Sequence, residues 1–121
     1  MSINRRCAIH TLPERVDIVV PERRRYFRKS IPEKTITFAW HGITEVCVFK
    51  RDCYTVDQIC MIFELNRTET VTVSEDMDGW SELVTAIPVY LPGALTQDGW
   101  WDKVVSPAFE LCITKIYPHP S

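Results

Sequence analysis

From residue 34 onward the apolar positions follow two distinct periods. Ile36, Phe38 and Trp40 alternate with Thr35, Thr37 and Ala39, the two-residue period of a half-buried strand made of β-favouring side chains. His41 and Gly42 separate this run from an apolar stretch at 43–49. Two residues ending in glycine between two such runs predict a tight hairpin. Lys50, Arg51 and Asp52 form a polar break. Residues 56–65 suit either geometry: Val56, Ile59, Cys60 and Phe63 share a helical face, with Thr55 and Gln58 placed as a capping box, whereas Ile59, Met61, Phe63 and Leu65 alternate. The run is short and is followed by polar residues at 66–69 and a second alternating stretch at 70–73, so a strand and a second hairpin are expected.

The period then changes. Trp80, Leu83, Val84 and Ile87 fall at i, i+3, i+4 and i+7, one face of an amphipathic helix near 78–88. Asp78 is the expected N-cap, Glu75 and Asp76 place negative charge near the helix start, and Pro88 is expected to end or bend the helix before Pro92 and Gly93 close it. A helical turn near 98–105 is expected to carry Trp101, Val104 and Val105 inward, leaving Trp100 at the surface. The alternation of Phe109, Leu111 and Ile113 predicts a last strand ending before Pro118. This order implies an α+β fold: an antiparallel sheet of about five strands with one amphipathic helix and a short helical turn packed on one face. The expected core is Phe38, Trp40, Val46, Val48, Ile59, Met61, Phe63, Val71, Val73, Trp80, Leu83, Val84, Ile87, Val104, Phe109, Leu111 and Ile113.

Residues 1–33 lack a clean period. Pro13 and Pro21 interrupt any helix, and Val16, Ile18 and Val20 allow a short edge strand. The expected organisation is a basic, partly irregular N-terminal extension over 1–33 and a single α+β domain over 34–121.

Composition adds limits. The chain has 121 residues, 45% apolar and 25% charged, which suits one globular domain and argues against wholesale disorder. No apolar run reaches the ~18–20 residues of a membrane span. Arg5 and Arg6 are not followed by an apolar signal core. A cytoplasmic protein without membrane contact is expected. The net charge of −2 conceals a dipole: residues 1–34 carry nine basic and four acidic side chains, and the remainder carries five basic and twelve acidic. The acidic part disfavours nucleic-acid backbone and favours basic partners. The five cysteines form no CxxC pair and the three histidines are scattered, so reduced thiols are expected and no metal or other cofactor is implied.

Several clusters are candidates for chemistry. Glu75, Asp76 and Asp78 offer oxygens to a divalent cation, but the later ligands of a calcium loop are missing and helix capping explains the same residues. Asp52 and Asp57 form no dyad on spacing alone, whether along one strand or one helix. Cys60 and His41 are a possible nucleophile and base, but the apolar neighbours of Cys60 blunt a thiol. Arg23, Arg24, Arg25, Arg28 and Lys29, interleaved with Tyr26 and Phe27, offer nucleic acid both charge and stacking. Pairing with the acidic domain explains them equally well. Four tryptophans are many for a small core, and Trp100, with Tyr90 and Leu95, is the expected contact patch.

The strings Glu75-Asp76-Met77-Asp78-Gly79-Trp80, Trp100-Trp101-Asp102-Lys103-Val104 and Pro107-Ala108-Phe109, with residues 49–52 and 57–60, give the chain a resemblance. Over residues 34–121 it resembles short bacterial proteins of a single α+β domain that carry no assigned activity. In size and acidity it is also similar to the immunity partners of bacterial toxins. The leading expectation is a non-catalytic interaction module that binds a protein partner, self-associates, or inhibits a basic partner. The alternative is a small enzyme or ligand-binding domain with its site between helix and sheet, near His41, Glu75, Asp76 and Trp80.

Overall fold

The computed structural model describes residues 7–22, 32–53, 56–66, 68–105 and 113–118. Two antiparallel sheets replace the expected single sheet of about five strands. The first has three strands in the order β1 (Ala8–Thr11), β2 (Arg15–Val20) and β3 (Lys34–Ala39). The second orders its four strands β6 (Glu69–Ser74), β5 (Val56–Leu65), β4 (Ile43–Cys53) and β7 (Thr114–Tyr117). Two helices, α1 (Trp80–Tyr90) and α2 (Gln97–Val105), follow β6.

The strand count rises because residues 8–20 form β1 and β2. Their register sets Ile9 opposite Ile18, and Val16 and Ile18 opposite Phe38 and Ile36. One apolar face results, and it is buried. The other face is polar: Asp17 accepts hydrogen bonds from Thr37 Oγ1 at 2.9 Å and Arg15 Nε at 3.2 Å. A strand pair with one apolar face cannot remain isolated in water, so this sheet closes on the second.

The hairpin expected at His41-Gly42 does not form. Trp40–Gly42 is a 3-10 turn that carries the chain from one sheet to the other. The reason is Trp40, which is buried and donates its indole N–H to the Leu12 carbonyl at 2.7 Å. The strand over residues 56–65 does form, pairing with β4 and β6. The β5–β6 hairpin turns at Asn66, whose φ is 50°.

Both sheets and both helices bury one continuous cluster. Val46 and Val48 of β4 lie opposite Phe63 and Met61 of β5, which lie opposite Val71 and Val73 of β6. Phe38 of the first sheet meets Phe63 of the second with ring centroids 5.2 Å apart. Helix α1 inserts Leu83, Val84 and Ile87. Pro88 sits in its last turn without ending it, because proline near a helix end removes little more than one backbone bond.

Other core expectations change. Trp100 is 1% exposed and Trp101 38%, the reverse of the expected pair. Helix α2 is a full helix from Gln97, one residue before the expected start, and its buried residues are Trp100 and Val104, at i and i+4. Trp101 and Val105 occupy the outer face by the same spacing. Ile113 is 59% exposed, just outside β7. Phe109 and Leu111 lie outside the described residues.

Gly79, with a φ of 89°, occupies the N-cap of α1 where Asp78 was expected. Asp78 serves through its backbone instead: its carbonyl accepts the Ile9 N–H at 2.7 Å, and its own N–H donates to Cys7 O at 3.0 Å. The first sheet is thereby tied to the helix entrance, and a Cβ at Gly79 would collide with the Ile9 carbonyl.

Two substitution pairs test this packing by chemical denaturation. Trp100→Ala is expected to cost about 3–5 kcal/mol and Trp101→Ala less than about 1 kcal/mol. Gly79→Ala is expected to cost on the order of 2–4 kcal/mol, from the left-handed backbone and the clash, whereas Gly42→Ala, which meets open space, changes stability by under about 1 kcal/mol.

Candidate functional site

The crossover at Trp40 shapes a cleft of about 460 Å³ where the two sheets and the end of α1 converge. The turn between β1 and β2 contributes Pro13 and Glu14 to one wall. This turn is held by the Leu12 N–H donating to Arg15 O at 2.9 Å, and is fixed to the crossover by Trp40, whose backbone N–H reaches Glu14 O at 3.4 Å. The indole bond to Leu12 O clamps the same turn from the ring side. Trp40 and His41 form the second wall.

The third wall is the end of α1. Tyr90 lies beside Trp40 with centroids 5.1 Å apart and planes inclined by 31°. Leu91 closes the helix by donating its N–H to Ile87 O at 2.8 Å, and the following segment is pinned to β7 by the Leu95 N–H on Ile116 O at 3.0 Å. Ile43 and Tyr117, from the start of β4 and the end of β7, complete the lining.

Among the described lining residues there is no lysine or arginine. Glu14 supplies a carboxylate. The adjacent Arg15 does not offset it, because its guanidinium turns to Asp17 on the outer face of the first sheet, 3.2 Å away. The cleft thus combines three aromatic rings, an imidazole and one fixed negative charge. Its volume falls within the range typical of small-ligand sites.

The expected ligand-site residues are split by this geometry. His41 lines the cleft, near the C-terminal end of α1. Trp80 opens the same helix and is buried, about 15 Å away along its axis. Glu75 and Asp76, in the turn before α1, have local roles. Glu75 accepts the Ile59 N–H at 3.0 Å and its own N–H donates to Ile59 O. Asp76 accepts a hydrogen bond from Ser74 Oγ. Among the described residues no three His, Cys, Asp or Glu side chains come together as a metal site would require.

The expected contact patch is rearranged as well. Trp100 is buried, Leu95 is half-buried against the core, and Tyr90 faces the cleft. Cys60 and His41 are not neighbours. His41 precedes β4, whose first residue pairs with Leu65, five residues and about 17 Å along β5 from Cys60. The β4–β5 register sets Asp52 directly opposite Asp57, a pairing that spacing along one element does not reveal. Arg23, Arg24, Arg25, Arg28 and Lys29 lie outside the described residues.

The contributions of Glu14, Tyr117 and the crossover turn were not legible from sequence. They come from the β1–β2 turn, the end of β7 and the β3–β4 crossover, and only the two-sheet topology brings them together. The signal present was Trp40 followed by a histidine between two strand patterns.

Elsewhere, the outer face of the second sheet carries a coupled pair. Lys115 Nζ lies 3.1 Å from Glu45 Oε1, and this hydrogen bond holds the Glu45 carboxyl below its ordinary range despite partial desolvation. Burial, with the Glu45 carboxylate beside it, pushes the Cys47 thiol up. No family model, curated protein or solved structure matches this chain.

A raised thiol makes Cys47 sluggish at neutral pH, because the thiolate is the reacting form. Peptide-resolved alkylation at pH 7.5 is expected to modify Cys47 more slowly than an unstructured cysteine peptide. Glu45→Gln is expected to speed the reaction, since it removes the negative charge while Lys115 remains.

Proposed function

We propose that the protein is a binding module that takes a small organic ligand, or a side chain of comparable size, in the cleft beneath Trp40. The observation that carries this reading is the convergence of Trp40, Tyr90, Tyr117 and Glu14 from four separate segments on one concavity of about 460 Å³. Aromatic walls with a few placed polar groups are the ordinary make-up of a ligand pocket. The site lies between helix and sheets, as in the ligand-binding alternative drawn from sequence, but at the opposite end of α1 from Glu75, Asp76 and Trp80. Binding without a chemical step fits the separation of Cys60 from His41. The resemblance to short bacterial proteins belongs to the same proposal and supplies no activity.

Cytoplasmic residence is part of the proposal. Its support is that Cys7 and Cys47 are free thiols among the described residues; separately, no helix among those residues is long and apolar enough to cross a membrane.

A second reading, contact with a protein partner or a second copy, draws on the apolar side chains left outside. Val89 is 65% exposed on α1, and Trp101 and Val105 share the outer face of α2. Such patches mark contact surfaces.

Fragment mixtures observed through backbone amide shifts separate the two. The cleft reading expects hits to move the amides of Glu14, His41, Ile43, Leu91 and Tyr117 together. Hits confined to Ser81, Ala86 and Val89, or concentration-dependent line broadening on that face without ligand, would favour contact with a partner instead.

A further inference from the structure

We infer that the free edge of β6 is a docking surface for a second copy of this chain, which pairs its own β6 antiparallel about a two-fold axis at Val71. This surface is separate from the cleft and does not depend on it.

Four strands stand at the margins of the two sheets: β1, β3, β6 and β7. A marginal strand presents unpaired N–H and C=O groups, which soluble chains cover or blunt. Two of the four are covered. On β1, the Ile9 N–H donates to Asp78 O at 2.7 Å and Cys7 O accepts the Asp78 N–H at 3.0 Å. On β7, Ile116 O accepts the Leu95 N–H at 3.0 Å. Strand β3 opens on Lys34, a charge of the kind that blunts an edge, and runs directly into the Trp40 crossover. Strand β6 differs. Between Glu69 and Ser74 it carries only Thr70, Val71, Thr72 and Val73, with no charge, no proline and no register shift against β5. Such side chains favour extended pairing.

The ladder fixes which backbone groups face out. The Glu75 N–H donates to Ile59 O at 2.9 Å, and bonds to one neighbour recur at every second residue of an antiparallel pair. In the unbroken register Val73 and Val71, opposite Met61 and Phe63, therefore turn their backbone groups to β5. Thr70 and Thr72 turn theirs the other way, and both residues are exposed. No second strand among the described residues pairs with them. Ser74, the next outward residue, is closed off: it is buried, and its carbonyl accepts the Met77 N–H at 3.1 Å. The open edge is thus Thr70 and Thr72, on either side of a half-buried Val71.

That pattern is complementary to itself. Rotation about Val71 by a two-fold axis normal to the sheet sets Thr72 of the second copy opposite Thr70, and Thr70 of the second copy opposite Thr72. Each outward N–H then meets an outward C=O, with none left over. Threonine lies beside threonine on the outer face, and Val71 lies beside its own copy on the core face, both favourable cross-strand neighbours. Centring the axis on Thr72 would instead call on the engaged Ser74 carbonyl and set Glu69 opposite Glu75 of the second copy. The two-fold contact also closes: neither copy keeps an open β6 edge, so association stops at a dimer.

The test follows the full chain by sedimentation equilibrium from about 5 μM to about 1 mM, the range of a modest interface, with amide hydrogen exchange read at both ends. A monomer–dimer equilibrium is expected. The Thr70 and Thr72 amides are expected to exchange more slowly at the higher concentration, whereas Val71 and Val73, bonded to β5, are protected throughout. The double variant Thr70→Lys, Thr72→Lys places lysine opposite lysine at both crossings. It is expected to weaken the dimer at least about tenfold while the circular dichroism spectrum stays that of the parent. The double variant Thr70→Glu, Thr72→Lys places glutamate opposite lysine, and is expected to return association to within about threefold of the parent.

A monomer at every concentration, with both threonine amides exchanging freely, would overturn the proposal. So would a dimer that tolerates the double lysine variant unchanged, because another face would then hold it. Loss of association in both variants alike would overturn the pairing of Thr70 with Thr72. Growth beyond a dimer would overturn the two-fold arrangement in favour of β6 joined head-to-tail to a different edge.

Discussion

The rings of Phe38 and Phe63 meet across the gap between the two sheets, 5.2 Å between centroids, and the rest of the architecture follows from that closure. Each sheet has one apolar face too large to leave in water. Val16, Ile18 and Phe38 on one side and Met61, Phe63 and Val73 on the other lose their exposure only against each other and against α1. Once the faces are joined, β3 and β4 cannot be hairpin partners, because they belong to different layers. The chain must cross between them, and Trp40 is the residue at the crossing.

That crossing creates the cleft. Trp40 bonds back to Leu12 through its ring and to Glu14 through its backbone, so the β1–β2 turn is carried along with it. Helix α1 fills the core with Leu83 and Ile87 and ends where Tyr90 can lie against the indole. The concavity is therefore framed by the joint between layers, and the side chains around it are held by core packing. Rigid support of this kind lets a small site keep its shape before a ligand arrives.

Much of the second sheet was legible in the sequence. The alternation of Ile59, Met61, Phe63 and Leu65 became β5, and Asn66 turned the next hairpin as its position suggested. The amphipathic spacing of Trp80, Leu83, Val84 and Ile87 became α1, shifted by two residues because Gly79, not Asp78, fits against Ile9. What local pattern could not reveal was layer membership. Two neighbouring strands joined by His41-Gly42 read as a hairpin, since nothing within residues 34–49 records that Leu12 waits to accept the Trp40 indole. Trp100 and Trp101 show the same limit: their ~100° separation on a helix fixes that one is inside, and only the approach of β4 and β7 decides which. The site inherits this difficulty. Of the candidates named from sequence, His41 lines the cleft, whereas the acidic residues chosen with it sit at the other end of α1 and complete local hydrogen bonds.

The claim that the two sheets share one core is tested most directly by a double-mutant cycle on Phe38→Leu and Phe63→Leu, measured by equilibrium denaturation. Rings in contact across the interface predict a coupling of about 0.5–1.5 kcal/mol. Additive effects, within about 0.3 kcal/mol, would mean that the rings do not meet and that the closed two-sheet arrangement is wrong.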